Sequence, residues 1–156
     1  MRLALRQAMR AFDANETPTG CVIVRQPAEP SGLPAAARIL ARAHNQTEQL
    51  RDATAHAEMI AITQAANARG DWRLIDTVLY VTKEPCPMCA GAIVSARIPE
   101  VVWGCSDPKR GGALSCFNIL NHPNLNHRPL IKTDVLADES LAILQEFFQQ
   151  RRQNDL

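Results

Sequence analysis

The stretch Val78-Leu79-Tyr80-Val81-Thr82-Lys83-Glu84-Pro85-Cys86-Pro87-Met88-Cys89-Ala90-Gly91-Ala92-Ile93-Val94-Ser95 decides how this chain is read. Val78–Val81 is short, apolar and β-branched or aromatic at three of its four positions, which predicts a buried strand. Pro87 to Ser95 predicts a helix with proline at its first position, where the missing N–H is not needed. Val101-Val102-Trp103 reads as the next strand. Strand, helix and strand in that order make an α/β crossover unit.

The same alternation extends outward in both directions. Upstream, residues 54–69 are Ala-rich, place Met59, Ile62 and Ala66 on one face, and stop at Gly70 as helices do. Residues 1–14 have helical spacing at Leu3, Leu5, Ala8, Met9 and Phe12, then meet the breakers Asn15, Pro18 and Gly20. Cys21–Val24 reads as a strand. The segment from Gln26 to Pro34, with three prolines, reads as a loop reaching solvent and leading to a partner strand around Ala37–Ala43. Downstream, 105–129 is rich in Gly, Asn, His and Pro, with a short helix expected near Ala113–Leu120. A last strand at Leu130–Val135 and an amphipathic helix at Ala137–Arg152 follow. The expected fold is α/β, a sheet sandwiched between helices, over residues 1–156 as one domain.

The bulk properties exclude several classes of function. With 156 residues, the chain suits one domain and can bury roughly 68–70% of its unfolded surface without disulfides. Hydrophobic residues at 46% and charged residues at 21% are ordinary for a globular protein and argue against disorder. No apolar run reaches the ~20 residues of a membrane span. The N-terminus lacks an apolar core with a cleavage site, so a soluble, cytoplasmic protein is expected. A net charge of +1 excludes a uniformly basic nucleic-acid binder, but not a local basic patch. Fourteen of the seventeen basic residues are Arg, which suits bidentate phosphate contact but equally follows from a GC-rich genome.

Five cysteines without an export signal suggest metal or thiol chemistry over a disulfide framework. Cys21, Cys105 and Cys116 are scattered and read as small buried hydrophobes. Cys86 and Cys89 stand three residues apart on a predicted first helical turn, so both sulfurs face one point. A helix N-terminus favours the thiolate that binds zinc. His56, at the start of another predicted helix, supplies a nitrogen ligand. A Cys2His set leaves one tetrahedral position for water, which marks a catalytic rather than a closed structural site. Glu58, two residues on, can face the same cavity without ligating and take a proton from that water.

Blander readings exist for each part. A closed structural zinc would need a fourth ligand from His44, Cys105 or Cys116, and a thioredoxin-type pair would leave His56 and Glu58 unexplained. H-x-E, 26 intervening residues, then P-C-x-x-C is the joint pattern of zinc-dependent nucleobase deaminases.

Thr54-Ala55-His56-Ala57-Glu58-Met59 and Leu79 through Ala92 resemble the bacterial tRNA-specific adenosine deaminases, within the cytidine deaminase-like superfamily. Later segments strengthen the resemblance: Ser106-Asp107-Pro108-Lys109, Gly111-Gly112-Ala113, Leu120–Arg128, and Leu136–Glu139 running into Phe147–Arg152. The resemblance implies a three-layer α-β-α sandwich with a mixed five-stranded sheet, a homodimer, one zinc per chain, and conversion of the wobble adenosine of a tRNA anticodon loop to inosine. It implies His56, Cys86 and Cys89 as zinc ligands and Glu58 as proton shuttle. Asn45 and Ala57 would contact the target nucleoside, and the backbone N–H of Cys86 would assist. Asp107, Lys109, Asn126, Phe148, Arg151 and Arg152 would meet the RNA loop, by phosphate contact and base stacking. The longer stretch 26–37, Thr19-Gly20-Cys21, Arg110 and the low net charge depart from the family pattern. The zinc motif alone also fits a deaminase of a free base, guanine first and then cytosine. A non-catalytic RNA-binding subunit is the remaining alternative, but Glu58 and all three ligand positions are intact.

Overall fold

A computed structural model describes residues 1–26 and 37–154. Helix α1 (Arg2–Asp13) leads into strands β1 (Gly20–Arg25) and β2 (Arg38–His44), and a single turn α2 (Thr47–Leu50) precedes α3 (Ala57–Arg69). Strand β3 (Thr77–Lys83), helix α4 (Pro87–Ser95) and strand β4 (Glu100–Cys105) form the crossover unit. Strand β5 (Leu130–Lys132) and helix α5 (Ala137–Asn154) complete the order. The expected loop within 26–37 falls almost wholly outside the described residues.

The sheet runs β2-β1-β3-β4-β5. β1 is antiparallel to both β2 and β3, while β3, β4 and β5 are parallel, so the sheet is mixed and five-stranded. α1 and α5 pack together against the sheet, while α3 packs on β1 and β2 and against α4. This is the α/β architecture expected from the sequence. Trp103, Ile23, Leu79, Ile93, Val81 and Val101 fill the centre with no exposed surface. Phe12 and Phe147 meet edge to face at 5.7 Å, joining the helices near the two ends of the chain. Such pairs contribute about 0.5–1.5 kcal/mol beyond area burial.

Gly20 explains how closely α1 approaches the sheet: a Cβ there would collide with the α1 backbone at Ala4 and Ala8. The buried face of α3 is the small-residue stripe Ala57, Ala61 and Ala65, not the expected Met59–Ile62–Ala66 face, which is half-buried. Alanine lets the helix lie close to β1 and β2. Gly70 ends α3 in the left-handed conformation at φ 76°, as its sequence position predicts.

Two expected elements shrink. The helix near Ala113–Leu120 is reduced to a 3-10 turn at Ile119–Asn121, because the backbone before it is committed elsewhere. Gly112 and Ala113 donate to Pro85 O, and Leu114 and Ser115 donate to the Glu84 side chain. β5 stops at Lys132 rather than Val135, and Asp134 then takes a left-handed φ of 62°.

Candidate active site

The C-terminal ends of parallel strands β3 and β4 open a crevice, the usual place for a ligand in an open α/β sheet. The N-termini of α3 and α4 converge there. His56 is the N-cap of α3 and Cys86 the N-cap of α4, both with extended backbone; Pro87 follows at the first position of α4. Cys89 lies on the first turn of α4. His56 Nδ1 stands 3.5 Å from Cys86 Sγ and 3.5 Å from Cys89 Sγ. All three ligand atoms lie within 4.8 Å of one another. Zn–N near 2.0–2.1 Å and Zn–S near 2.3 Å at a tetrahedral angle require N···S separations of about 3.6 Å. The residues therefore fit a tetrahedral metal ion with a free fourth position, and His44, Cys105 and Cys116 take no part in the cluster.

The electrostatics agree. The Cys86 thiol is pulled down to about 4 by a hydrogen bond from the Cys89 thiol, assisted by His56 and by the Cys89 backbone N–H. Cys89, as the donor in that pair and itself buried, is pushed up. Its hydrogen bond to Cys86 raises His56. Glu58 is 3% exposed, and burial raises its carboxyl above the ordinary value.

His56 and Cys86 of the triad form part of the wall of a cavity of ≈ 180 Å³ that Thr17, Thr19, Asn45, Thr47, Glu58 and Arg110 also line, with Cys89 buried behind them. That is below the ~300–1,000 Å³ of drug-sized sites, and it suits a single nucleobase. Ala57 is fully buried at the first position of α3. Beside the cavity, and sharing Lys83 and Asp107 with it, runs an open groove of ≈ 700 Å³. Pro108, Lys109, Leu144, Phe148 and Arg152 line it, and Phe148 is 45% exposed.

Asp107 lines both the cavity and the groove, whereas Arg151 and Asn126 line neither. Asp107 is tied to Lys83 at 2.7 Å and accepts from the backbone of Lys109 and Arg110, so it shapes its loop. Arg151 donates to Asn15 O at 2.7 Å and lies over the Phe147 ring, which ties it to the body of the protein. Asn126 accepts from Arg97 at 2.5 Å, beyond the C-terminus of α4, and does not line the cavity. Cys21 and Cys105 are buried as expected. Cys116 is exposed instead, because its loop is held outward and its thiol faces Pro108 O at 3.0 Å.

Two acidic residues that sequence reading passed over hold this site together. Glu84, 3% exposed, accepts from Asp107 N at 2.9 Å, Leu114 N at 2.9 Å, Ser115 N at 2.8 Å and Ser115 Oγ at 2.5 Å. It staples the 107–115 loop to the cysteine segment, and a Cβ at Gly111 would strike its carboxylate. Glu16, with no exposed surface, accepts from Gln49 N and Thr47 Oγ1 below Asn45. A lone Glu usually reads as a solvated residue; the only hints were the adjoining Pro85-Cys86 and the breakers around Glu16.

The sheet order, the two converging helix N-termini and the His-Cys-Cys triad define a deaminase of the cytidine deaminase-like class. Residues 1–152 match the MafB19-like deaminase family. The tRNA-specific adenosine deaminase of Streptococcus pyogenes serotype M18 is 44% identical over 153 residues, covering 98% of this chain and 90% of that protein. A solved structure described as a tRNA:A34 deaminase of A-to-I editing at the wobble position superposes with a TM-score of 0.82 at 40% identity, covering 92% of this chain and 97% of that one. The guanine deaminase of Bacillus subtilis is more distant, with a TM-score of 0.59 at 30% identity over 95% of this chain and 90% of its own. The chain belongs to the tRNA-specific adenosine deaminase family.

Proposed function

We propose that the protein hydrolyses the 6-amino group of the wobble adenosine in a tRNA anticodon loop, leaving inosine and ammonia. The observation that carries this reading over a free-base deaminase is the open groove joined to the small cavity. A free base would fill the cavity alone and leave Phe148, Lys109 and Arg152 without a task. A single-stranded loop can extend one base into the cavity and lay its neighbours along the groove, against an aromatic face and two cationic side chains.

His56, Cys86 and Cys89 would hold one zinc ion. When bound there, zinc lowers the pKa of a water at its open position toward ~7 and so supplies a nucleophile at neutral pH. Glu58 would take a proton from the attacking water and deliver it to N1 of the purine, where inosine keeps it, and would then carry the proton of the new C6 hydroxyl to the departing amine as the C6 carbonyl forms. Burial suits it to this work, because a raised carboxyl holds a proton nearer neutrality than a free one does. Asn45 holds the target nucleoside. Ala57 and Cys86 offer backbone N–H groups at the two helix starts, and the dipoles of both helices favour developing negative charge.

The chain acts as one catalytic domain, as the packing of α1 on α5 supports. Two copies pair through apolar side chains such as Trp72 and Ile75, 53% and 59% exposed. Among the described residues no helix is long and apolar enough to cross a membrane, and the substrate places the enzyme in the cytoplasm.

The test is a competition. Zinc-loaded protein receives an anticodon stem-loop with a wobble adenosine, free guanine and free cytosine together, and products are identified by mass spectrometry. Inosine as the dominant product supports the proposal. Xanthine or uracil in its place would move the assignment to a free-base deaminase.

A further inference from the structure

We infer that Glu16 and Thr47 fix the side-chain amide of Asn45 with its oxygen toward the cavity, so that the site accepts a hydrogen bond from the 2′-hydroxyl of the target nucleotide and thereby selects ribose. Glu16 is a positioning residue in this scheme and Asn45 the specificity-determining one. The inference rests on the proposed reaction and deepens it.

Hydrogen-bond polarity is fixed along a chain of three side chains, Glu16, Thr47 and Asn45. Glu16 is fully buried and accepts from Gln49 N through Oε1 at 2.8 Å. Hydrogen bonds from Gln49, Glu48, Thr47 and Asn45 keep its carboxyl below the ordinary value, so near neutral pH it can only accept. Thr47 Oγ1 lies 3.1 Å from Oε2, and its single hydrogen must therefore point to Glu16. With that hydrogen committed, Thr47 Oγ1 presents only lone pairs to Asn45, 3.2 Å away. The amide atom facing it must be Nδ2. An amide in the opposite sense would set oxygen against oxygen.

The Asn45 backbone is pinned as well, its N–H donating to Thr19 O at 3.1 Å. Asn45 is only 6% exposed and lines the cavity. Its Oδ1 has no protein donor among the described residues and is not buried away from solvent, so it faces the cavity. An acceptor held there calls for a donor on the substrate. In an internal adenosine of RNA the ring nitrogens N1, N3 and N7 only accept, and the 3′ and 5′ oxygens are esterified. Apart from the 6-amino group that leaves, the 2′-hydroxyl is the sole donor, and it is the group that distinguishes RNA from DNA.

The Glu16→Gln substitution reverses the relay without emptying it. Gln at position 16 keeps an oxygen for Gln49 N–H and turns its NH2 to Thr47. Thr47 then donates to Asn45 Oδ1, and the amide presents NH2 to the cavity. The experiment uses two stem-loops that differ only in ribose or 2′-deoxyribose at the target adenosine, with wild type, Glu16→Gln and Thr47→Val. Zinc content and thermal melting are recorded for each protein.

Wild type is expected to favour the ribose substrate by roughly tenfold in kcat/KM, the effect of one buried hydrogen bond made or left unmade. Glu16→Gln should lose that factor on ribose and change little on deoxyribose, so the preference collapses toward one. Thr47→Val, which removes the relay while leaving Glu16 its bond from Gln49 N–H, should do the same. A wild type indifferent to the 2′-hydroxyl overturns the inference. So does a Glu16→Gln enzyme that keeps the preference, or that loses both activities equally, as a merely structural role would. A zinc-loaded wild type that forms no inosine from either stem-loop overturns the reaction itself, and this inference with it.

Discussion

Replacing Glu84 by glutamine asks how much one buried carboxylate contributes to the cavity rim. The carboxylate takes four hydrogen bonds, two on each oxygen, from Asp107, Leu114 and Ser115. Glutamine must aim an NH2 at one of those pairs. Aimed at the Oε1 side it would face two backbone N–H groups and leave both unpaired. Aimed at the Oε2 side it can donate to a rotated Ser115 hydroxyl, and only Asp107 N–H loses its partner. The second orientation is the cheaper. It forfeits one backbone bond to a charged acceptor and weakens the other three, and bonds to charged groups contribute about 1.5–3 kcal/mol each. The expected loss is about 2–4 kcal/mol, or roughly 5–15 °C in Tm for a protein of this size. The assay is thermal unfolding of zinc-loaded wild type and variant at neutral pH, with amide hydrogen exchange on 107–115. Zinc content should stay at one per chain, because no ligand has moved. A Tm within about 2 °C of wild type, with unchanged exchange across 107–115, would refute the claim that Glu84 holds this loop.

Three further outcomes follow from the same geometry. Glu58→Ala should keep zinc and fold but lose about 10²–10⁴ in kcat, the usual share of a general acid–base group, as single-turnover kinetics will show. Arg152→Ala should raise KM for the stem-loop and reduce the slope of log K against log salt by about one, with kcat nearly unchanged. Glu16, Glu84 and Asp107 all have carboxyls held below their ordinary values, net of burial, by hydrogen bonds and, for Asp107, by Lys83. Their folded forms bind protons less readily than the unfolded chain does. Their contribution is therefore present above the ordinary carboxylate range and lost as pH falls through and below it, so urea midpoints should decline from about pH 4.5 downward.

What could be read in the sequence was what lies close together in it. His56 and Glu58 share one helix start, and Cys86 and Cys89 another. Each pair sits at a helix start that the local sequence announces, and the joint pattern of H-x-E and P-C-x-x-C made the ligands legible, although bringing the two starts together is the work of the fold. The β3-α4-β4 unit was visible for the same reason. Glu84 and Glu16 were not, since their partners stand 23 to 33 residues away and are mostly backbone N–H groups, which no side-chain pattern reveals. The missing helix near 113–120 is the other side of that fact: its N–H groups bind Glu84 and Pro85 instead of building a turn. Asp107 and Arg151 could be placed near the RNA side by resemblance, but only the structure shows that Lys83 and Asn15 already engage them.

The central claim is that a His-Cys-Cys metal centre and Glu58 act on one extruded adenosine. The most direct measurement is nucleotide-resolved mapping of inosine in a stem-loop carrying both a wobble adenosine and a second loop adenosine, treated with zinc-loaded wild type or Glu58→Ala. The account predicts inosine at the wobble position alone with wild type and none with the variant. Inosine at both adenosines, or undiminished inosine with Glu58→Ala, would contradict it.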